Sequence, residues 1–298
     1  MVELSRWIRM NRQRSKLKQT SLDAINAVLR FGLHIAPSEK LALWWGYRYR
    51  PAPALAKLRS GQIVEITEND HLQLLLYYCG EFEPQCVELM KKHIGPGSIV
   101  LDVGANIGLY TLEAAKAVGA TGRVIAIEAS PGHISTIGKS VGLNGFQNVD
   151  IISSAVGDVE GMTTLTLPEG ANHGMFTLGS VAGSVTMRVN AKRIDDILDE
   201  QKALSVDFIK MDIEGSELVA LKGATQTLKR FRPTILIELN EAALRSCGTS
   251  SFEVKSLLYS MDYKGSIVGT SGLMPIPSGQ IIHECDECLF IPNRADTV

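Results

Sequence analysis

Five short runs of buried-type residues, separated by helical text, constrain the fold more than any other feature of this chain. They are Ser98-Ile-Val-Leu-Asp-Val103, Arg123-Val-Ile-Ala-Ile-Glu128, Asp150-Ile-Ile-Ser153, Val206-Asp-Phe-Ile-Lys-Met-Asp212 and Thr234-Ile-Leu-Ile-Glu-Leu239. Apolar, β-branched runs of this kind suit strands covered on both faces. Helical segments at Leu109–Val118, Ile134–Leu143 and Ser216–Leu221 lie between most of them. The pattern predicts βαβ units, hence an α/β fold with a mostly parallel sheet and helices on both faces. Upstream, helices are expected within Ser21–Arg30, His71–Cys79 and Glu83–Ile94, and Gly95-Pro-Gly97 marks a boundary. The expected organisation is therefore an N-terminal helical extension over 1–90 and an α/β domain over 91–298. The Thr/Gly/Ser-rich text of 161–190 reads as an inserted hairpin or loop, and Cys288-Leu-Phe-Ile-Pro292 as a last strand.

Charge is distributed unevenly. Residues 1–60 carry twelve Lys/Arg against three acids, about +9, and the remainder holds 18 basic and 29 acidic groups. A basic arm on an acidic body suits contact with anionic lipid headgroups or an acidic substrate, or docking on the acidic domain. Nucleic acid is not an expected partner, and a homo-oligomer is compatible with the sequence. Five scattered cysteines suggest free thiols in a reducing compartment. No apolar run is long enough to span a bilayer, and no secretory leader is recognisable. The expected location is cytoplasmic, with peripheral membrane association compatible with the basic arm.

In open α/β sheets ligands bind beyond the carboxyl ends of the strands, so residues following the apolar runs carry most information. Asp102-Val-Gly-Ala-Asn-Ile-Gly108 places Gly104 and Gly108 in a strand-to-helix turn, where a missing Cβ allows a sharp bend and close ligand approach. The following helix would offer its N-terminal N–H groups to an anionic group. A dinucleotide site wants G-x-G-x-x-G; counted from Gly104, Asn106 and Leu109 stand where the second and third glycines belong. Glu128 ends the second run, where an acid accepts from ribose hydroxyls. Asp102, Gly104, Asn106, Gly108 and Glu128 together predict a nucleoside cofactor that is not a dinucleotide.

Longer stretches resemble a known family. Val100-Leu-Asp-Val-Gly-Ala-Asn-Ile-Gly-Leu109, Ala155-Val-Gly-Asp158, Arg193-Ile-Asp-Asp-Ile-Leu198, and above all Lys210-Met-Asp-Ile-Glu-Gly-Ser-Glu217 in its flanking context are similar to the FkbM methyltransferases. The resemblance runs from about Gly80 to Glu241. It implies a seven-stranded Rossmann-like methyltransferase sheet, S-adenosyl-L-methionine as cofactor, and O-methylation of a hydroxyl on a sugar or glycan, a glycolipid or a secondary metabolite. Ala155 and Asp158 would then border the adenine. Two other readings stay open at this stage, a nucleotide-dependent oxidoreductase on a similar sheet and a protein that binds the cofactor without turning it over.

Methyl transfer to a hydroxyl requires removal of the acceptor's proton, which a positioned carboxylate assists by roughly 10²–10⁴-fold. Asp212, at the end of its strand, and Glu214 are the expected catalytic carboxylates, with Lys210 as the neighbouring cation. The spacing also permits Asp212, Glu238 and Asn240 to hold Mg²⁺ through oxygen ligands. Trp44-Trp-Gly-Tyr-Arg-Tyr-Arg50 suits sugar stacking or a membrane-interface anchor, and core packing explains it equally well. His173 is the one histidine that fits an acceptor-site base. Cys285 and Cys288 lack the second ligand pair that structural zinc needs.

Overall fold

A computed structural model of the 298-residue chain describes residues 39–167, 185–269, 272–276 and 285–293. The expected helix at Ser21–Arg30, much of the basic arm, and His173 lie outside the described residues. The chain divides into two units, one formed by Ile66–Phe82 with residues up to Arg59, the other by Ser60–Glu65 with residues from Glu83 onward. No helix among the described residues is long and apolar enough to cross a membrane.

In the first unit, helix α1 (Glu39–Tyr49) packs on α2 (His71–Cys79) through Ala42, Leu74, Leu75 and Tyr78. Gly46 allows the approach, since a Cβ there would lie 2.6 Å from Leu74 Cδ2. Asp70 caps α2 by accepting the Gln73 N–H at 2.7 Å, and left-handed Gly80 ends it. The stretch read as helical also holds two short strands, β1 (Ala54–Lys57) and β2 (Ile63–Ile66). Pro51, Pro53 and Gly61 break the helical text around them and leave runs too short for a helix.

The second unit continues with α3 (Pro84–His93), β3 (Ile99–Val103), α4 (Leu109–Val118), β4 (Arg123–Glu128), α5 (Pro131–Asn144), β5 (Val149–Ser153), β6 (Ala155–Val156), β7 (Gly161–Leu167) and β8 (Val185–Lys192). After these come α6 (Ile194–Glu200), β9 (Phe208–Met211), α7 (Glu217–Lys222), α8 (Thr225–Phe231), β10 (Thr234–Asn240), α9 (Glu241–Ser246), α10 (Ser251–Ser260), β11 (Tyr263–Gly269), β12 (Gly272–Pro275) and β13 (Cys285–Pro292). The strands of the main sheet lie in the order β12-β11-β13-β10-β9-β3-β4-β5. β10, β9, β3, β4 and β5 are mutually parallel, and β13 inserts antiparallel between β10 and β11.

The sheet has eight strands, not the seven implied by the resemblance. The extra strand arises because the chain doubles back after β11, pairing Gly269 with Gly272 and Ser266 with Pro275. It is a four-residue, exposed edge ending in proline, which carries no apolar run to announce it. The inserted hairpin expected in 161–190 is the antiparallel β7–β8 pair, which joins β6 in a separate three-stranded sheet.

Strand alternation divides the main sheet into two unlike faces. Leu101, Val103, Ile125, Ile127, Ile209, Met211, Ile235 and Ile237 fill one, against α6, α7 and α8. The other face carries Asp102 and Lys210, register partners on β3 and β9, both buried. From β3 the chain winds outward to β4 and β5, then returns to β9 on the opposite side of β3. That reversal opens a crevice at the carboxyl ends of β3 and β9.

Ile209 lies between Leu101 and Ile235 in the sheet, all three without exposure. Ile209→Ala is expected to destabilise the domain by about 2–5 kcal/mol. Urea unfolding should show a lower midpoint with an unchanged slope.

Candidate functional site

The loop after β3 is held in one conformation by its backbone. Gly104, Asn106 and Gly108 have positive φ values of 80°, 52° and 93°, and the Gly104 and Ala105 N–H groups donate to Ile127 O. Asn tolerates the left-handed region better than most residues with a side chain. Gly104 cannot be replaced by anything larger, because its Cβ would lie 1.9 Å from Asp212 O. The loop after β3 and the loop after β9 therefore touch backbone to backbone.

Glu128 joins these loops to the next strand end. Its carboxylate accepts the Asn106 N–H at 2.8 Å, Ala129 N–H at 2.9 Å and Ser130 N–H at 2.7 Å, while its carbonyl accepts Ser154 N–H. An ionised carboxylate has about four acceptor positions, so one is left for a ligand hydroxyl. Ala155 is buried directly beyond Ser154, beside this cluster. Asp158 is exposed beyond Gly157, whose carbonyl backs against Gly223, so the described contacts bring Ala155 and not Asp158 toward Glu128.

The Lys210–Glu217 stretch forms the second wall. Glu214 and Gly215 have φ values of 51° and 101°, and a Cβ on Gly215 would lie 2.4 Å from Ala243 O. Glu217 fixes this turn by accepting the Ile213 N–H at 3.1 Å and the Gly215 N–H at 3.2 Å. Its role is thus local and structural. Asp212, Glu214 and Glu238 bring carboxylate oxygens within 4.8 Å of one another. The side-chain oxygen of Asn240, at the end of β10, accepts the Ala243 N–H at 3.2 Å and caps α9.

Lys210 is the electrostatic centre. Its ammonium lies 2.9 Å from Glu287 and 3.7 Å from Asp212, and 5.1 Å from the centre of the Tyr110 ring. Burial opposes its charge, yet Glu287, Asp212 and Glu83 outweigh that and hold the amine well above its usual range. Tyr110 donates to Glu83 at 2.8 Å. Burial raises the Glu287 carboxyl to about 7 against the pull of Lys210. Burial also lifts Asp102 to about 6, although the Thr111 hydroxyl donates to it at 2.5 Å. Glu214 is pushed up to about 7 by burial, then by Asp212 and Glu217.

Glu83, Tyr110 and Glu287 were not expected from sequence. Glu287 lies in sequence between Cys285 and Cys288, and it reaches Lys210 because β13 returns beside β10, pairing Glu238 with Glu287. The chain separation of Lys210 and Glu287 is 77 residues, so no local spacing could have linked them. Glu83 left one signal, a non-glycine residue immediately before a proline-started helix, with φ 45°. Cys288 is fully buried with its thiol pushed upward by burial, in keeping with a packing role.

Two outcomes follow from this geometry. Gly104→Ala is expected to separate the two loops and abolish cofactor binding by calorimetry, with the far-ultraviolet circular dichroism retained. The Glu217 carboxyl is raised by burial from 4.5 to about 7, so folding favours its protonated form. The stability this contributes is complete below about pH 4.5 and lost as pH rises through about 7. Glu217→Gln keeps an oxygen for the two N–H groups without a charge. Its urea midpoint relative to wild type should therefore rise between about pH 5 and about pH 8; a pH-independent difference would contradict the assignment.

Comparison with known proteins places the chain in a family. Residues 102–264, more than half of the chain, match the methyltransferase FkbM domain model. A methyltransferase of Sordaria araneosa, sdnD, is 25% identical over 187 residues, which are 53% of this chain and 71% of that protein. Protein-L-isoaspartate O-methyltransferase 1 of Arabidopsis thaliana is 39% identical over 56 residues, 19% of this chain and 24% of that protein. Among solved structures, methyltransferase FkbM from Methylobacillus flagellatus KT aligns with a TM-score of 0.43 and 22% identity. That alignment covers 74% of this chain and 52% of the other, so the chain spans about half the length of that relative. The family model carries the assignment: this chain belongs to the FkbM family of S-adenosylmethionine-dependent methyltransferases.

Proposed function

We propose that the protein methylates a hydroxyl group of a sugar or glycan, a glycolipid or another small metabolite. The observation that carries this reading is the carboxylate trio Asp212, Glu214 and Glu238, gathered within 4.8 Å beside the glycine loop. The residues present suit the cofactor. One acceptor position remains on Glu128 for a ribose hydroxyl, and the trio offers negative charge to a sulfonium. Bound S-adenosylmethionine supplies an electrophilic methyl group on that sulfonium.

The chain's own residues supply position and a proton acceptor. Gly104, Asn106 and Gly108 shape the loop that would hold the methionyl end, with Asp102 beneath it. Glu128 would hold the ribose, and Ala155, with Asp158 at the outer rim, would border the adenine. The cofactor would supply the methyl group to an acceptor hydroxyl, whose proton would pass to a carboxylate of the chain. Glu214 suits that role, since an acid raised to about 7 holds a proton well near neutral pH. Asp212 would orient the acceptor, with the Lys210 ammonium 3.7 Å from its carboxylate. Alignment in one displacement contributes more than acid–base assistance, because the sulfonium is already a good leaving group.

A second reading uses these carboxylates for a divalent cation, with Asp212 and Glu238, joined by Glu214 or Asn240, as its oxygen ligands. Hard oxygen ligands fit Mg²⁺. The neighbouring Lys210 ammonium favours the metal-free scheme, because it already supplies positive charge to Asp212. The family assignment sets aside the oxidoreductase alternative. On the domain question, we assign residues 1–90 as an N-terminal extension of the methyltransferase domain.

An acceptor screen with labelled S-adenosylmethionine tests the reading. With a productive hydroxyl acceptor, Asp212→Asn and Glu214→Gln should each lower kcat by roughly 10²–10⁴-fold while cofactor binding persists. Undiminished turnover in both variants would overturn the catalytic roles. Loss of turnover on adding a chelator, restored by Mg²⁺, would favour the metal reading.

A further inference from the structure

We propose that the outward arc of α1 is a docking surface for an anionic lipid bilayer. The proposal rests on this helix and on the charge of the flanking sequence, and is independent of the methyl-transfer reading. At about 100° per residue, Lys40, Leu41, Trp44, Tyr47 and Arg48 fall within an arc of roughly 120°. All five are exposed, and Leu41, Trp44 and Tyr47 keep 45%, 62% and 48% of their surface open. The opposite side of the helix, with Ala42 and Gly46 buried, is the side committed to α2. Trp45 turns inward as well, its ring centre 4.1 Å from that of Tyr49.

The chemistry of the arc selects the partner. Three apolar or aromatic side chains are interleaved with Lys40 and Arg48, and exposed Arg50 follows directly. Glu39, the one acid of the helix, lies on the other side. Trp, Tyr and Arg are enriched in protein interfaces too, but lysine is depleted there. A bilayer interface takes lysine together with the aromatics. Indole and phenol rings settle at the headgroup level, while Lys and Arg stems extend to the phosphates. The charge complementarity extends along the sequence, because residues 1–60 carry twelve cations against three acids. An 11-residue helix is too short to span a bilayer, so the contact lies in the interfacial plane.

Sedimentation of the full chain with vesicles provides the test. Vesicles of phosphatidylcholine mixed with phosphatidylserine should bind the protein, vesicles of phosphatidylcholine alone should bind it weakly, and added salt should release it. The double variant Trp44→Ala/Tyr47→Ala should bind the mixed vesicles at least about tenfold more weakly. Its circular dichroism and methyl-transfer rate with a water-soluble acceptor should match wild type, since both side chains point away from the packed side. Failure of the wild type to bind mixed vesicles overturns the proposal. So does equal binding by the double variant, which would assign the contact to the residues before α1. A dimer seen by size exclusion that the variant abolishes would also overturn it, making the arc a contact between copies of the chain.

Discussion

The buried ammonium of Lys210 is the interaction on which the site depends. It lies in the middle of the sheet, 1% exposed, where an isolated charge is strongly disfavoured. Glu287 at 2.9 Å and Asp212 at 3.7 Å compensate it, and the Tyr110 ring covers it. Removing one member of such a group leaves the others uncompensated, which costs more than the pair contributes. The arrangement therefore ties β9, β13, α3 and α4 to one geometry around the strand ends. It also leaves a local excess of carboxyl groups. Burial first, and these neighbouring carboxyls second, make Asp102, Glu214 and Glu287 hold their protons to higher pH than carboxyls in water.

The second constraint is steric. Gly104 against the Asp212 carbonyl and Gly215 against the Ala243 carbonyl bring the loops after β3 and β9 and helix α9 into backbone contact. Glu128 and Glu217 then fix those two loops with main-chain hydrogen bonds. A carboxylate that holds backbone in this way presents its remaining lone pair in a set direction. This preorganisation is what a methyl-transfer site needs, because in-line alignment is the main catalytic contribution in a reaction with an activated leaving group.

Much of this was legible in the sequence. Helices at His71–Cys79 and Leu109–Val118 and the strand at Arg123–Glu128 form over the residues expected. Their boundaries are set locally, by an Asp70 cap, by glycines that end or begin helices, and by continuous apolar runs. The glycine loop, Glu128 and the Lys210–Glu217 stretch were legible for the same reason. Their signals are short-range requirements for positive φ, a strand-end acid or a helix start. The eighth strand was not legible, because Gly272–Pro275 pairs only through its backbone and at an edge.

The sequence by itself determined the parallel sheet, the loop that turns at Gly104 and the family to which the chain belongs. Tertiary structure alone decided which carboxyls meet. It placed Glu238 with Asp212 and Glu214, turned the Asn240 oxygen to a helix cap, and returned Glu287 to Lys210 from 77 residues away. The physical reason is that backbone conformation answers to neighbours along the chain, whereas charge compensation answers to neighbours in space. In this fold those neighbours are set by a strand that enters the sheet last in the chain and in the opposite direction.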